Sequence, residues 1–170
     1  MGEAKKIFPK NTNLIFFIFV LAALVIYYIN LVRVKGPTTF DDAYMFIRYA
    51  DNFLAGHGIA WNPDGVQTYG TTSILYLAII IFARSILQSV SAGALLAILS
   101  ASFGIPAIAV LAYTCNRFAS SSLSKNSFLV FAIIFTGYFV ISPAFLFHMT
   151  SGMDTTLSFL CNAFLAFSIT

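Results

Sequence analysis

Apolar residues come in long blocks along this chain, separated by short polar runs. The first block, 14–32, is about 20 residues long and so can cross a hydrocarbon core of roughly 30 Å. Further blocks cover 73–87, interrupted by Arg84, then 92–114, 128–147 and 155–170. Lys5, Lys6 and Lys10 precede the first block, and no small-residue cleavage site follows Tyr27-Tyr28. The pattern therefore predicts an uncleaved signal-anchor helix with a cytoplasmic N-terminus. The last block stops in mid-pattern, without a glycine, a cap or a basic flank, as expected of the N-terminal part of a longer protein. The expected fold is all-α, a polytopic transmembrane helical bundle of about 4–5 spans, forming a single membrane domain over 1–170.

Between the first two blocks lies one sizeable polar loop, 33–72, and its first half has helical spacing. At about 100° per residue, Asp41, Met45, Arg48 and Asn52 fall on one stripe, while Ala43, Phe46, Ile47, Ala50, Phe53 and Leu54 form the apolar remainder. This spacing predicts an amphipathic helix lying in the membrane interface. Thr38 or Thr39 is placed to cap its start, the aspartates complement the positive end of its dipole, and Gly56 suits the left-handed residue after its end.

Orientation is harder to assign than number. The loop with Arg117 and Lys125 reads as cytoplasmic by the positive-inside rule, whereas alternation from a cytoplasmic N-terminus puts it outside. A re-entrant or strongly tilted second block removes the conflict. It also places residues 148–154 on the same outer side as Asp41.

Composition narrows the class. With 59% hydrophobic, 16% aromatic and 9% charged residues and a mean hydropathy of +0.89, the chain is an integral membrane protein rather than a soluble domain. The net charge of +3 rests on a few Lys and Arg flanking apolar segments, which speaks for orientation in the bilayer and not for nucleic acid. Cys115 and Cys161 have no CxxC spacing and read as free thiols. Phosphate-binding glycine loops, a GxSxG elbow and HExxH are all absent from the sequence.

The candidate chemistry gathers in the loop, where Asp41, Asp42, Asp51 and Asp64 are four of the six acids. Asp42 is read equally well as a helix-start charge. Asp41 shares a face with Arg48, either as a carboxylate beside an anion-binding cation or as an interfacial ion pair worth about 1 kcal/mol or less. His57, between two glycines, is either a ligand or a turn histidine. Ser151 to Thr155 also reads as a helix-start signal, with Ser or Asp as N-cap of the last block. Arg84 is expected to snorkel near a helix end. Adjacent carboxylates suit a hard cation such as magnesium or manganese, yet on a helix they point about 100° apart and would chelate together only at a frayed end.

These residues together resemble a family. The order Asp41-Asp42-Ala43-Tyr44, Arg48-Tyr49-Ala50, Gly56-His57-Gly58, Trp61-Asn62-Pro63, Tyr69, then Ser151-Gly152-Met153-Asp154-Thr155 is similar to polytopic GT-C type glycosyltransferases. The likeness is to the arabinofuranosyltransferase-like and mannosyltransferase-like branch that uses polyprenyl-phosphate sugars, and it covers 40–72 and 143–157. It implies sugar transfer, with inversion, from the lipid carrier to a glycan, lipid or protein acceptor on the extracytoplasmic side of the cytoplasmic membrane. Asp41, with Asp42 beside it, matches the family's first-loop acid, a general base or, in members that use one, a ligand of a divalent cation. Arg48 would meet the phosphate, and His57, Tyr69, His148 and Asp154 would contact substrate.

The chain departs from the family where relatives often carry Val-Glu-Gly-Tyr-Thr-Ser-Pro, having Val66-Gln67-Thr68-Tyr69-Gly70-Thr71-Thr72-Ser73 instead. Family members are also much longer, so a second chain completing the fold is an expected partner. Two other classes stay open. One is a non-catalytic membrane fragment or accessory subunit; the other is a small transporter-like bundle with Arg84 as its functional charge, against which stand the lack of an inverted repeat and the placing of the acids in a loop.

Overall fold

The computed structural model describes residues 19, 22–23, 25–31, 33–34, 40–64, 66–68, 70–120, 134, 137–138 and 142–169, with backbone alone over 116–120. Helical residues at 25–31 lead into five named helices among the described residues: α1 (Asp41–Leu54), α2 (Ile74–Ile86), α3 (Ala92–Ser120), α4 (Pro143–Ser151) and α5 (Thr155–Ser168). Among the described residues there is no strand, only an isolated antiparallel bridge between Ala60 and Gln67. The all-helical class expected from the sequence is what the chain adopts.

α1 forms where the periodicity predicts it. Its N-cap is Phe40, which has extended backbone and no side-chain cap bond, and Asp41 and Asp42 supply negative charge to the first turn. Thr38 and Thr39 lie outside the described residues. Gly56 takes the left-handed conformation at φ 87°, as expected after the helix end. Ala43, Phe46, Ile47 and Ala50 are buried together with Tyr49, while Phe53 and Leu54 stay exposed. What covers the apolar face is protein: the Phe46 ring meets Tyr76 of α2 edge-on at 5.0 Å, and Ala43 lies against the turn at Gly152.

α2 is capped by Ser73, whose Oγ accepts from the Tyr76 N–H. It runs beside α1 in the same direction, since Phe46 meets Tyr76 while, a turn or two on, Asp51 meets Arg84. At 13 residues it is roughly 20 Å long, short of a hydrocarbon core. α5, at 14 residues, is short as well. Among the described residues, one helix is long and apolar enough to cross a membrane, α3 over Ala92–Cys115. The first expected span is described only in part and the 128–147 block mostly lies outside the described residues. Position 117, taken above as loop, belongs to the α3 helix, and Lys125 lies outside.

The 128–147 block differs from expectation at its end. Ser142 caps a helix that begins with Pro143, whose missing N–H and fixed φ suit a first turn, and α4 continues to Ser151. His148 therefore sits on a helix and not in the turn.

The core lies where α1, α2, α3 and α5 meet, around Phe46, Tyr76, Leu77, Ile80, Leu95 and Leu96. Helices approach closely through glycine. Gly104 of α3 carries the Met149 sulfur of α4 directly over its Cα, which leaves no room for a side chain. The buried Tyr28 hydroxyl reaches the Ala97 carbonyl of α3 and the Met149 carbonyl of α4, both at 2.7 Å, and so ties the N-terminal helical segment to two later helices.

Candidate functional site

Gly152 is the hinge of the site. Its φ of 74° ends α4 in the left-handed region, and a Cβ built there would lie 2.7 Å from Leu96 Cβ and 3.2 Å from Ala43 Cβ. Its carbonyl accepts a 2.8 Å bond from the Tyr76 hydroxyl. The turn that joins α4 to α5 is thus pressed against the first turn of α1 and fastened from α2.

Four of the sequence-predicted residues gather at this end. Asp41 and Asp42 occupy the exposed first turn of α1, and Asp154 is the half-buried N-cap of α5 with no side-chain cap bond. His148 is exposed, and its ring contacts Phe147 at 5.4 Å, which meets Phe40 edge-on at 5.2 Å. Phe40 directly precedes Asp41, so His148 and the aspartate pair flank one aromatic contact.

Arg48 and His57 lie elsewhere. Arg48 is seven positions, about 10 Å along the helix axis, beyond Asp41. Its Nε donates to the Trp61 carbonyl at 2.7 Å, Nη2 donates to Asn62 Oδ1 at 3.1 Å, and the guanidinium stands 4.3 Å over the Trp61 ring. Asn52 adds bonds to the Ala60 and Trp61 carbonyls, and Thr68 Oγ1 accepts from the Trp61 N–H. The Tyr49 hydroxyl accepts from Gly70 N–H at 3.2 Å. The polar stripe of α1 is therefore the frame on which the 60–70 loop is laid, and the Asp41–Arg48 ion pair entertained from the sequence does not form. His57 is exposed between Gly56 and Gly58, both at positive φ, and its N–H closes the helix on the Asn52 carbonyl. Tyr69 lies outside the described residues.

Arg84 sits in the last turn of α2 and holds Asp51 of α1 through Nε and Nη2, at 2.9 and 3.2 Å, while Nη1 reaches the Val90 carbonyl. This is a bidentate bridge at a helix end, which accounts for the charge without a transport role. Asp64 is likewise occupied, accepting from the Val66 N–H in its own turn.

Sequence reasoning takes Gly152 only as a member of the 151–155 motif, and it passes over Tyr76 and a buried hydroxyl group of α5. Thr156 is buried, and its Oγ1 has no partner among the described residues. A tyrosine inside an apolar block carries no periodic signal of its hydrogen bond, whereas a glycine between two helical patterns is a recognisable stop. Among the described residues no group of three His, Cys, Asp or Glu is arranged to hold a metal. Asp41 and Asp42 are consecutive residues within α1, and the helical spacing turns their side chains apart. They do not by themselves make a chelating site. Comparison with protein families, with curated proteins and with solved structures finds no match for this chain.

Proposed function

We propose that the chain is a multi-span glycosyltransferase of the cytoplasmic membrane, or the N-terminal part of one, acting on polyprenyl-phosphate sugars at the extracytoplasmic face. The observation that carries this reading is the packing of the 152–154 turn on the first turn of α1. It brings together the two segments, distant in sequence, on which the family likeness rests. Asp41 and Asp42 on one side, and His148 and Asp154 on the other, then flank the contact of the start of α1 with the ends of α4 and α5.

In this reading Asp41 accepts the proton of the acceptor hydroxyl. The freed oxygen attacks the anomeric carbon from the side opposite the phosphate, and the carbon–oxygen bond to phosphate breaks with its electron pair leaving on the lipid phosphate. Inversion follows from the opposed faces. Arg48 retains Nη1, which neither Trp61 nor Asn62 uses, to meet the departing charge. Its separation from Asp41 along α1 leaves the sugar between base and phosphate. No step is routed through a metal, since the acid pair does not fit one.

A non-catalytic accessory role is favoured by one observation, that both Asp41 and Asp42 are exposed to solvent in the first turn of α1. Sugar transfer from radiolabelled polyprenyl-phosphate sugars, in membranes that contain the inserted chain, separates the two. Asp41→Asn is expected to lower transfer by about a hundredfold or more, the usual worth of a general base. Unchanged transfer by the variant removes Asp41 from the chemistry, and no transfer by the unaltered, inserted chain favours the accessory role.

A further inference from the structure

A groove of about 620 Å³ runs between the N-terminal helical segment and α3. Val25 and Ile29 form one wall; Ile98, Ala101 and Ile105 form the other, and Arg33 is the one charged group among the described lining residues. The polar atoms nearby are turned away from it. The Tyr28 hydroxyl is spent on Ala97 and Met149, and Ser102 Oγ donates to Leu99 O of its own helix at 2.8 Å. Ile29 and Ile98 remain 44% and 51% exposed, so the groove is open along its length. Arg33 is exposed, and no acceptor among the described residues reaches it.

A dry apolar channel with a single cation in its lining is complementary to an amphiphile that has a long hydrocarbon chain and a negative head group. A neutral helix face would fill the apolar walls but leave Arg33 unanswered. We propose that this groove binds an anionic phospholipid of the surrounding bilayer, its acyl chain along Ile29, Ile98 and Ala101 and its phosphate at Arg33. The small Ala101 side chain keeps the channel open. This inference does not depend on the sugar-transfer reading.

The test uses the purified chain in mild detergent with dioleoyl phosphatidylglycerol or, separately, dioleoyl phosphatidylcholine, with retained lipid counted by native mass spectrometry. Phosphatidylglycerol is expected to bind about fivefold more tightly, the equivalent of about 1 kcal/mol for one cation at the head-group level. Arg33→Gln removes that preference while leaving chain binding. Ala101→Phe, which fills the channel, removes both lipids, and Ile98→Phe serves as an independent obstruction if the first variant loses helicity. A preference that survives Arg33→Gln, or lipid retention unaltered by both obstructions, overturns the assignment. So does displacement of phosphatidylglycerol by an equimolar polyprenyl phosphate, which would give the groove to that lipid, or a change of oligomeric state on obstruction, which would give it to a second copy.

Discussion

Gly152 shows how much can rest on one missing side chain. Its backbone is left-handed and its Cα faces both Leu96 and Ala43. Gly152→Ala adds a left-handed penalty of about 1–2 kcal/mol to an overpacking cost of about 1–3 kcal/mol. A large fall in thermal midpoint is expected, and under the proposed sugar-transfer reading transfer should fall with it because α1 and the turn move apart. Arg48 is a contrasting case, since its side chain works through several weak contacts. Arg48→Ala should release the 60–70 loop to limited proteolysis, with little change in helicity. If the loop stays protected, the bonds to Trp61 and Asn62 contribute nothing to its order. The sequence marked Arg48 and Asp41 as sharing a face, which is correct, yet a shared face at seven residues is not a contact. The loop carbonyls lay closer.

At the scale of elements, α1 is the best-read part of the chain. A period near 3.6 and the glycine after it located both its apolar face and its end. What the period could not say is whether lipid or protein covers that face, because both are apolar. α2 supplies the cover, and the bridge from Arg84 to Asp51 fixes the crossing of their C-terminal ends. With the Asp51 side chain 47% exposed, the pair should be worth at most about 1 kcal/mol. A double-mutant cycle with Asp51→Asn and Arg84→Gln measures this coupling through thermal midpoints. The bridge is further expected to weaken as salt rises, whereas a value independent of ionic strength would mean that the two charges do not interact in solution.

For the molecule as a whole, α3 is the common support. The N-terminal segment reaches it through Tyr28, α4 through Met149 over Gly104, and the α4–α5 turn through Leu96. Tyr28→Phe removes a hydroxyl shared by two buried carbonyls and should cost about 1–2 kcal/mol, seen as a lower thermal midpoint in detergent. A midpoint unchanged within error would show that the first segment is held by its apolar contacts alone.

The sequence by itself determined the helical nature of the chain, the long apolar helix beginning at Ala92 and the amphipathic helix that carries Asp41, Arg48 and Asn52 on one stripe. Those features depend on composition and on neighbours within a few turns, which periodicity records. Only the tertiary structure decided that His148 belongs to a helix, that Arg48 holds a loop, and that the turn at Gly152 meets the start of α1. The Tyr76 bond to the Gly152 carbonyl and the close approach at Ala43 join positions far apart in the chain. No local pattern encodes such contacts, because they exist only once the helices have packed.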